Sequence, residues 1–273
     1  MSAVRPSGVI TLLTDFGLGD PFVGVMKGVI LDRYPEAKIV DLTHGIAPHD
    51  IAEASFWLSR SYRSFSEGTV HVAVVDPGVG TERAAVGAEV DGHYFLAPDN
   101  GLLGAVIARA RVGRGSTPTE LRVVEPIRLG IDPPSRTFHG RDVFAPVAAE
   151  LAAGRRWLSE VGPSVTRLVP TALPAAVVDE SGASGVVVTV DRFGNLITNL
   201  DAELLDRVRA PVVLCAGRRF PIRGTYQAVT RGAYLALVNA FGVVELARSE
   251  GSAADGLGVG KGAVVEIRDG EAE

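Results

Sequence analysis

Cysteine is almost absent from this sequence, since Cys215 is the only one in 273 residues. A lone cysteine excludes a disulfide within the chain and a metal cluster built on several thiolates of one chain. No apolar run reaches the roughly 18 residues that a membrane-spanning helix needs. Residues 1–7 lack the apolar segment of a signal peptide. We therefore expect a cytoplasmic protein with no membrane partner.

A strong charge of either sign is also missing. The net charge is −5 at pH 7, and the basic residues form no run. Because nucleic-acid binding usually relies on a basic patch, we expect no nucleic-acid partner. With 47% hydrophobic and 22% charged residues, the chain has an ordinary globular composition and enough length for one large domain or two smaller ones.

The first part of the chain alternates between strand-like and helix-like patterns. Short apolar runs predict strands, and apolar residues at helical spacing predict helices. The predicted strands cover residues 8–14, 38–42 and 70–75, and the predicted helices cover residues 21–34, 50–61, 101–110 and 142–153. This alternation is typical of an α/β domain whose mostly parallel sheet is covered by helices. We assign it to residues 1–168.

The pattern changes beyond Pro170 and Pro174, which mark a linker. The remaining apolar runs are short, β-branched and separated by Gly, Asn or Asp. They cover residues 185–190, 196–199, 212–216, 219–222, 233–238, 243–247 and 263–267. Such a series predicts a smaller all-β, barrel-like domain with little helix, which we assign to residues 169–273.

Three strands of the first domain end in, or run directly into, an acid followed closely by glycine. The acids are Asp15, Asp41 and Asp76. In open α/β sheets, ligands bind at the edge formed by the carboxyl ends of the strands. The alternative is that each acid only caps a turn or a helix. Because the pattern recurs, we expect a shared polar crevice.

Two histidine-containing segments could carry chemistry. His44 and His49 lie near Asp41 and Asp50, but their spacing is not that of a metal-binding pair, so a structural or substrate-lining role is favoured and no metal is expected. His139 lies just before the helix that Asp142 is expected to cap. The positive end of a helix tends to keep an imidazole neutral and able to accept a proton. The alternative is a loop histidine with only local hydrogen bonds.

Motifs for two other functions are incomplete. Gly78 and Gly80 form a Gly-x-Gly pair, but no third glycine follows at the dinucleotide-binding spacing, and no Gly-Lys-Ser/Thr is present. The glycine-rich residues 256–262 lie among the predicted strands of the second domain and indicate a turn. No Gly-x-Ser-x-Gly elbow indicates a serine hydrolase.

Aromatic and amide side chains in the second domain provide a candidate pocket for a small polar ligand. Asp191, Phe193 and Asn195 interrupt an apolar strand, and Tyr226 and residues 239–242 repeat the combination. These groups can stack on a ligand and hydrogen-bond it. A simple β-turn is the alternative for residues 191–195.

Five motifs in order resemble those of the S-adenosyl-L-methionine (SAM) hydroxide adenosyltransferases, or SAM hydrolases, which are relatives of the bacterial fluorinase and chlorinase. They are Thr14-Asp15-Phe16-Gly17, Asp41-Leu42-Thr43-His44, Asp76-Pro77-Gly78-Val79-Gly80, Phe138-His139-Gly140-Arg141-Asp142 and Asp191-Arg192-Phe193-Gly194-Asn195-Leu196-Ile197-Thr198-Asn199. The resemblance implies an α/β domain followed by a barrel-like domain. It also implies a homotrimer with sites between subunits, and SAM as the substrate without a cofactor.

The resemblance further implies that Asp76, Arg83 and His139 are catalytic. The family reaction replaces methionine by water at the 5′ carbon of SAM and gives adenosine and L-methionine. Arg83 would stabilise developing hydroxide, and Asp76 or His139 would take the proton, a choice that the sequence leaves open. The halogenases carry Tyr in place of Asp76 and lack the histidine, which disfavours a halogenase. A SAM or adenosine sensor is the other alternative.

The resemblance also implies a set of substrate-binding residues. These are Asp15, Asp191, Phe193, Asn195, Tyr226, Arg248 and Glu250. Asp15 matches the acid that holds the ribose hydroxyls, and Asp191 and Asn195 match groups that bind ribose or methionine. Phe193 and Tyr226 match aromatics that pack on the ligand. The backbone near Arg248 and Glu250 would face the adenine edge.

Overall fold

The computed structural model describes residues 4–114, 120–132 and 134–270. The chain forms two compact units, Met1–Leu173 (unit 1) and Pro174–Glu273 (unit 2). The sequence pattern places the domain boundary after residue 168. The boundary between the two compact units lies slightly further along the chain, after Leu173. Within the described ranges, none of the helices has the length and hydrophobicity needed to cross a bilayer.

Unit 1 contains a six-stranded mixed sheet. Its strands are β1 (Val9–Thr14), β2 (Lys38–Thr43), β3 (Val70–Val74), β4 (Ala85–Val90), β5 (His93–Pro98) and β6 (Glu120–Val123), in the order β2-β1-β3-β5-β4-β6. The β1–β2, β1–β3 and β3–β5 pairs are parallel, whereas β4 is antiparallel to β5 and β6. Asp91 and Gly92 join β4 to β5 with φ of 51° and 76°, as a tight hairpin requires.

Helices cover both faces of this sheet, which confirms the predicted α/β class. They are α1 (Phe22–Arg33), α2 (Ile51–Ser61), α3 (Gly104–Arg114) and α4 (Ala145–Ala152). On one face, Met26 of α1 and Val147 of α4 pack on the sheet; on the other, Leu58 of α2 and Val106 of α3 do so. Each fully buried side chain of this kind contributes about 1.5–3 kcal/mol to folding. The helices thereby leave the carboxyl edge of the sheet to loops.

Unit 2 is an antiparallel barrel-like sheet, as predicted. Its strands are β7 (Val177–Asp179), β8 (Gly182–Val190), β9 (Leu196–Asp201), β10 (Pro211–Cys215), β11 (Arg218–Phe220), β12 (Tyr234–Val238), β13 (Val243–Arg248) and β14 (Val264–Asp269). The order is β11-β10-β14-β8-β9-β13-β12, with β7 beside β8. A bridge between Ile222 and Ala236 links the segment after β11 to β12, so the sheet nearly closes on itself. A short helix, α5 (Ala253–Leu257), follows β13.

Candidate active site

The loop after β3 holds Asp76 at the carboxyl edge of the unit 1 sheet. Asn100 donates from Nδ2 to the Val75 carbonyl at 2.9 Å and fixes the strand end. The chain then turns, with the Val79 amide donating to the Asp76 carbonyl at 3.2 Å. Thr81 Oγ1 donates to the Gly78 carbonyl at 2.6 Å. The turn leaves the Asp76 side chain only 5% exposed, so its carboxylate needs a partner.

Arg83 is that partner, and it also reaches His139. Its Nε donates to Asp76 Oδ1 at 2.8 Å, and its Nη2 contacts Asp76 Oδ2, so the guanidinium and carboxylate pair side by side. Nη2 also lies 2.8 Å from His139 Nδ1. Because a guanidinium only donates, Nδ1 is the acceptor in this contact. The three residues that the sequence nominates as catalytic therefore form one connected cluster.

Close backbone approaches bring His139 to Arg83. Gly80 has φ of 75°, and a side chain there would overlap the Arg136 carbonyl oxygen. A side chain at Gly78 would press on Arg83 Cγ at 3.3 Å. Gly80 thus lets the loop after β3 lie directly against the segment that leads to His139, and Gly78 leaves room for the Arg83 side chain within that loop.

His139 stands at the start of a π-helical turn, Gly140–Phe144, which runs into α4. Asp142 does not cap a helix as expected, because it lies inside this turn and accepts a hydrogen bond from the Ser135 amide at 2.8 Å. Partial burial raises the pKa of Asp142, but hydrogen bonds from Arg141 and Ser135 outweigh it and bring the pKa to about 2. Asp142 therefore ties the His139 loop together instead of acting as a helix cap.

The electrostatic surroundings favour a neutral His139. Burial lowers the pKa of the imidazole, and the Arg83 charge lowers it further. Asp76, Asp142 and a hydrogen bond with the Ser135 backbone act in the opposite direction and are outweighed. The neutral ring can keep its Nδ1 lone pair for Arg83. The cause differs from the helix-end effect expected from the sequence.

One nitrogen of the Arg83 guanidinium is left over. Its Nη1 is buried and has no hydrogen-bond partner among the described residues. The ring of Phe144 lies 5.8 Å from the guanidinium carbon and covers part of it. A buried N–H without an acceptor is costly, so this atom is suited to bind an oxygen that comes with the reaction.

Asp15 leaves the neighbouring strand at the same edge. In the parallel β1–β3 pair Thr14 is opposite Val74, so Asp15 and Asp76 both follow the ends of adjacent strands. Asp15 Oδ2 accepts a hydrogen bond from the His49 amide at 2.8 Å. His49 itself has φ of 68°.

Asp41 does not share this crevice in the way the repeated pattern predicts. It is opposite Leu12 within the strands, and its Oδ2 pairs with Lys27 at 2.7 Å. Its Oδ1 lies 3.1 Å from His44 Nε2, and His44 Nδ1 contacts Thr14 Oγ1 at 2.8 Å. His44 is thereby a buried structural residue. Among the described residues, no group of His, Cys, Asp and Glu side chains is arranged to hold a metal ion.

Unit 2 contains a cavity of about 470 Å³ that gathers most of the binding residues nominated by the sequence. Its lining comprises Phe193, Asn195, Tyr226, Arg248, Glu250, Gly251 and Ser252. Gly251 and Ser252 were not predicted as binding residues, because small residues in a turn form no distinctive sequence pattern. The exposed rings of Phe193 and Tyr226 offer faces for stacking.

Asp191 is absent from that lining. Its Oδ1 accepts hydrogen bonds from the Phe193 and Asn195 amides at 2.8 and 2.9 Å, and its Oδ2 accepts from Asn195 Nδ2 at 3.0 Å. The carboxylate thus organises the turn that presents Phe193 and Asn195. Residues 191–195 can therefore form a turn and also contribute to a ligand pocket, so the two interpretations are compatible.

The charged ends of Arg248 and Glu250 also have protein partners. Arg248 Nε donates to the Gly232 carbonyl at 3.0 Å, and its guanidinium carbon lies 5.4 Å from the Tyr234 ring centre. The Glu250 carboxylate lies 3.2 Å from Arg231. The use of backbone groups at these two positions stays a prediction.

Comparison with known proteins identifies the family. The SAM hydroxide adenosyltransferase N-terminal domain model matches residues 10–162, and the C-terminal domain model matches residues 185–266. A Thermus thermophilus protein named (R)-S-adenosyl-L-methionine hydrolase is 40% identical over 268 residues, which cover 94% of this chain and 98% of that relative. The chain therefore belongs to the SAM hydroxide adenosyltransferase family.

Two further comparisons extend this result. The crystal structure of an uncharacterized conserved protein from Thermotoga maritima has a TM-score of 0.85 and 35% identity, and the match covers 94% of this chain and 99% of that one. An Actinoplanes protein named fluorinase is more distant, with 29% identity over 73% of this chain and 74% of its own length.

The approach of Gly80 to Arg136 gives a test of the loop packing. We expect Gly80→Ala to lower the free energy of unfolding by about 1–3 kcal/mol, since it adds both backbone strain and overlap. Gly130→Ala is the matched control, because Gly130 also has positive φ, 67°, but open space around it. Urea denaturation measures both variants. Equal losses would contradict a specific role for the close approach.

Proposed function

We propose that this protein hydrolyses SAM to adenosine and L-methionine by in-line attack of water at C5′. Membership of the family and the similarity to proteins named SAM hydrolases support this activity. The observation that carries it is the buried guanidinium of Arg83, bound by Asp76 and His139 and with Nη1 left as a donor. A preorganised cation beside a water molecule stabilises the negative charge that develops as the water is deprotonated.

The reaction needs little beyond placement and charge. The oxygen of water forms a bond to C5′ while the C5′–S bond breaks. The electron pair of the breaking C5′–S bond returns to sulfur, which gives neutral methionine. The extra proton leaves the new 5′ oxygen. Because the sulfonium is already an activated leaving group, no cofactor is required, and SAM serves only as substrate. Positioning the water in line with the C5′–S bond supplies the rest of the rate enhancement.

We assign Asp76 to orient the water and receive its proton. Each of its oxygens accepts from Arg83, but a carboxylate has about four acceptor sites, so further sites remain for water. His139 is the weaker candidate because its Nδ1 already accepts from Arg83. Its role in this proposal is to hold the guanidinium in place. Arg83 donates from Nη1 to the attacking oxygen.

Binding is divided among the other nominated residues. We propose that Asp15 accepts hydrogen bonds from the ribose hydroxyls, consistent with its position beside Asp76 at the sheet edge. In unit 2, Phe193 and Tyr226 would pack on the ligand and Asn195 would hydrogen-bond it. Asp191 would support this pocket through its turn, and the backbone at Arg248 and Glu250 would contact the adenine edge.

The first test is incubation of purified protein with SAM, following adenosine and methionine by chromatography. We expect Asp76→Asn to reduce turnover at least roughly 100-fold, the usual effect of a positioned acid–base group, while adenosine binding changes little. Asp91→Asn is the matched control, since Asp91 is also a buried carboxylate paired with an arginine, Arg63. It should keep its turnover.

Several results would contradict this assignment. Folded wild-type protein that releases neither product would exclude hydrolysis, and adenosine binding without turnover would indicate a sensor. Halide-dependent formation of a 5′-halo-adenosine would indicate a halogenase. Normal turnover of Asp76→Asn would remove Asp76 from the mechanism.

A second test separates the two candidate proton acceptors. Asn places its Oδ1 near the position of His Nδ1, so His139→Asn should hold Arg83 and keep turnover within about tenfold at pH 8, whereas His139→Leu should lose at least roughly 100-fold. Because burial and Arg83 lower the pKa of His139, the wild-type ring stays neutral as pH falls through about 6.5. Loss of activity through its protonation should begin only below that pH and vanish in His139→Asn. Equal inactivity of both variants would make His139 the base.

We further infer that the chain forms a homotrimer with sites shared between subunits. Exposed apolar side chains on α1, namely Phe22, Val25 and Leu31, support self-association. Light scattering should give three times the mass of one chain. Co-expression of Asp76→Asn chains with chains carrying Tyr226→Ala should restore activity that neither has alone. A monomer, or a mixture that regains nothing, would contradict this inference.

A cytoplasmic location is part of the proposal. The single thiol, Cys215, is buried, and burial raises its pKa, which fits a protein that needs no oxidising compartment. Recovery of the protein outside the cytoplasmic fraction of fractionated cells would contradict it.

A further inference from the structure

Glu245 is a carboxylate buried in an apolar strand. It lies in the middle of β13, is only 2% exposed, and is flanked by the buried Val244 and Leu246. A carboxylate in such a place must have hydrogen-bond partners. Glu245 has two, which come from different segments of unit 2. Its Oε1 accepts from the Tyr226 hydroxyl at 2.8 Å, and its Oε2 accepts from Asn239 Nδ2 at 3.2 Å.

Asn239 holds one side of the carboxylate in a fixed direction. Its Oδ1 accepts hydrogen bonds from the Phe241 and Val243 amides at 3.0 and 3.4 Å, in the turn between β12 and β13. These bonds fix which end of the amide is oxygen, so Nδ2 must face Glu245. Asn239 therefore fixes the position of the Glu245 carboxylate independently of Tyr226.

The position of the Tyr226 ring depends on its hydrogen bond to Glu245. It lies in a single 3₁₀ turn, Tyr226–Ala228, in the connection between β11 and β12. Its ring is 45% exposed and lines the unit 2 cavity. Partial burial, and then the hydrogen bond to Glu245, raise the pKa of the hydroxyl, so Tyr226 remains a donor at neutral pH. The bond to Glu245 ties this exposed ring to the rigid barrel.

We propose that Glu245 is a positioning residue of the ligand pocket, which fixes the Tyr226 ring as a wall against which the adenine base packs. The inference rests on the proposed function in one respect, namely that the cavity takes an adenosine-containing ligand. Glu245 itself is absent from the cavity lining. It acts through Tyr226, by removing the ring's freedom before the ligand binds.

A different role for Glu245 would be electrostatic. Burial raises the pKa of Glu245, and the nearby charge of Asp191 also raises it, while Tyr226 and Asn239 lower it. An ionised Glu245 would attract the cationic substrate but not neutral adenosine. A positioning role predicts equal losses for both ligands when Glu245 is changed, because both present the same base to Tyr226. Comparing the two ligands therefore separates the roles.

The experiment is a double-mutant cycle with Glu245→Gln and Tyr226→Phe. When the Gln oxygen accepts from Asn239 Nδ2, its amide nitrogen faces Tyr226, so the Tyr226 hydroxyl loses its bond to a charged acceptor. Adenosine binding is measured by calorimetry, and kcat and KM are measured with SAM. We expect each single variant to weaken adenosine binding about tenfold, the usual effect of losing one hydrogen bond to a charged group, with KM raised and kcat nearly unchanged. The double variant should be no weaker than the poorer single one.

Glu266→Gln serves as the control, since Glu266 pairs with Arg268 at 2.6 Å on β14 of the same barrel. It should leave adenosine binding unchanged. Thermal unfolding checks that each variant folds. If Glu245→Gln does not fold, Tyr226→Phe breaks the same bond without changing the buried strand, and it carries the test alone.

The outcomes separate this inference from the proposed function. Additive losses, a loss for SAM without one for adenosine, or unchanged binding by folded Tyr226→Phe would each overturn the positioning role. Coupled losses of adenosine binding in a protein that does not hydrolyse SAM would support the role and overturn the proposed function. Wild-type protein that binds neither ligand would overturn both.

Discussion

The pairing of Arg83 with Asp76 is the interaction on which the rest of the site depends. Two opposite charges are buried here almost completely, with the side chains 11% and 5% exposed. Burying either charge alone would cost several kcal/mol, and only close, hydrogen-bonded pairing offsets that cost. Such a pair fixes the positions of both side chains, because any displacement exposes an unpaired buried charge.

The surrounding structure is consistent with that constraint. The turn after β3 must bring Arg83 back onto Asp76, which explains the glycine at position 78 against the Arg83 stem. The next segment must deliver an acceptor for the remaining Nη2 hydrogen, and His139 provides it from the start of a π-helical turn. A neutral imidazole suits this position, since a second cation there would repel Arg83. Unit 1 thus contains a fixed charge arrangement. Unit 2, taken by itself, contains an aromatic pocket whose rings are held by turns and by Glu245.

Sequence patterns predicted the fold class because they report local physics. Apolar runs ending in Asp and Gly correctly located β1 and β3. The antiparallel addition of β6 depends on long-range pairing, which short-range patterns do not encode. Similarly, the π-helical turn before α4 is set by tertiary contacts around His139. A helix cap at Asp142 was therefore the reasonable but wrong expectation.

The candidate site was only partly readable from sequence for the same reason. Motif resemblance nominated Asp76, Arg83 and His139, but only the fold reveals that Arg83 stands between the other two. Glu245 gave no signal, because a single acid in an apolar strand resembles a solvent-facing position until its partners from two other segments are known. Asp191 was nominated as a ligand group, and only the fold reveals that its carboxylate also organises a turn.

The origin of the oxygen in the product tests the central claim most directly. Turnover of SAM in water enriched in ¹⁸O, followed by mass spectrometry, reports which bond water forms. Attack at C5′ predicts one ¹⁸O atom in the 5′ hydroxyl of adenosine and none in methionine. Unlabelled adenosine, or label in the methionine fragment, would contradict the account.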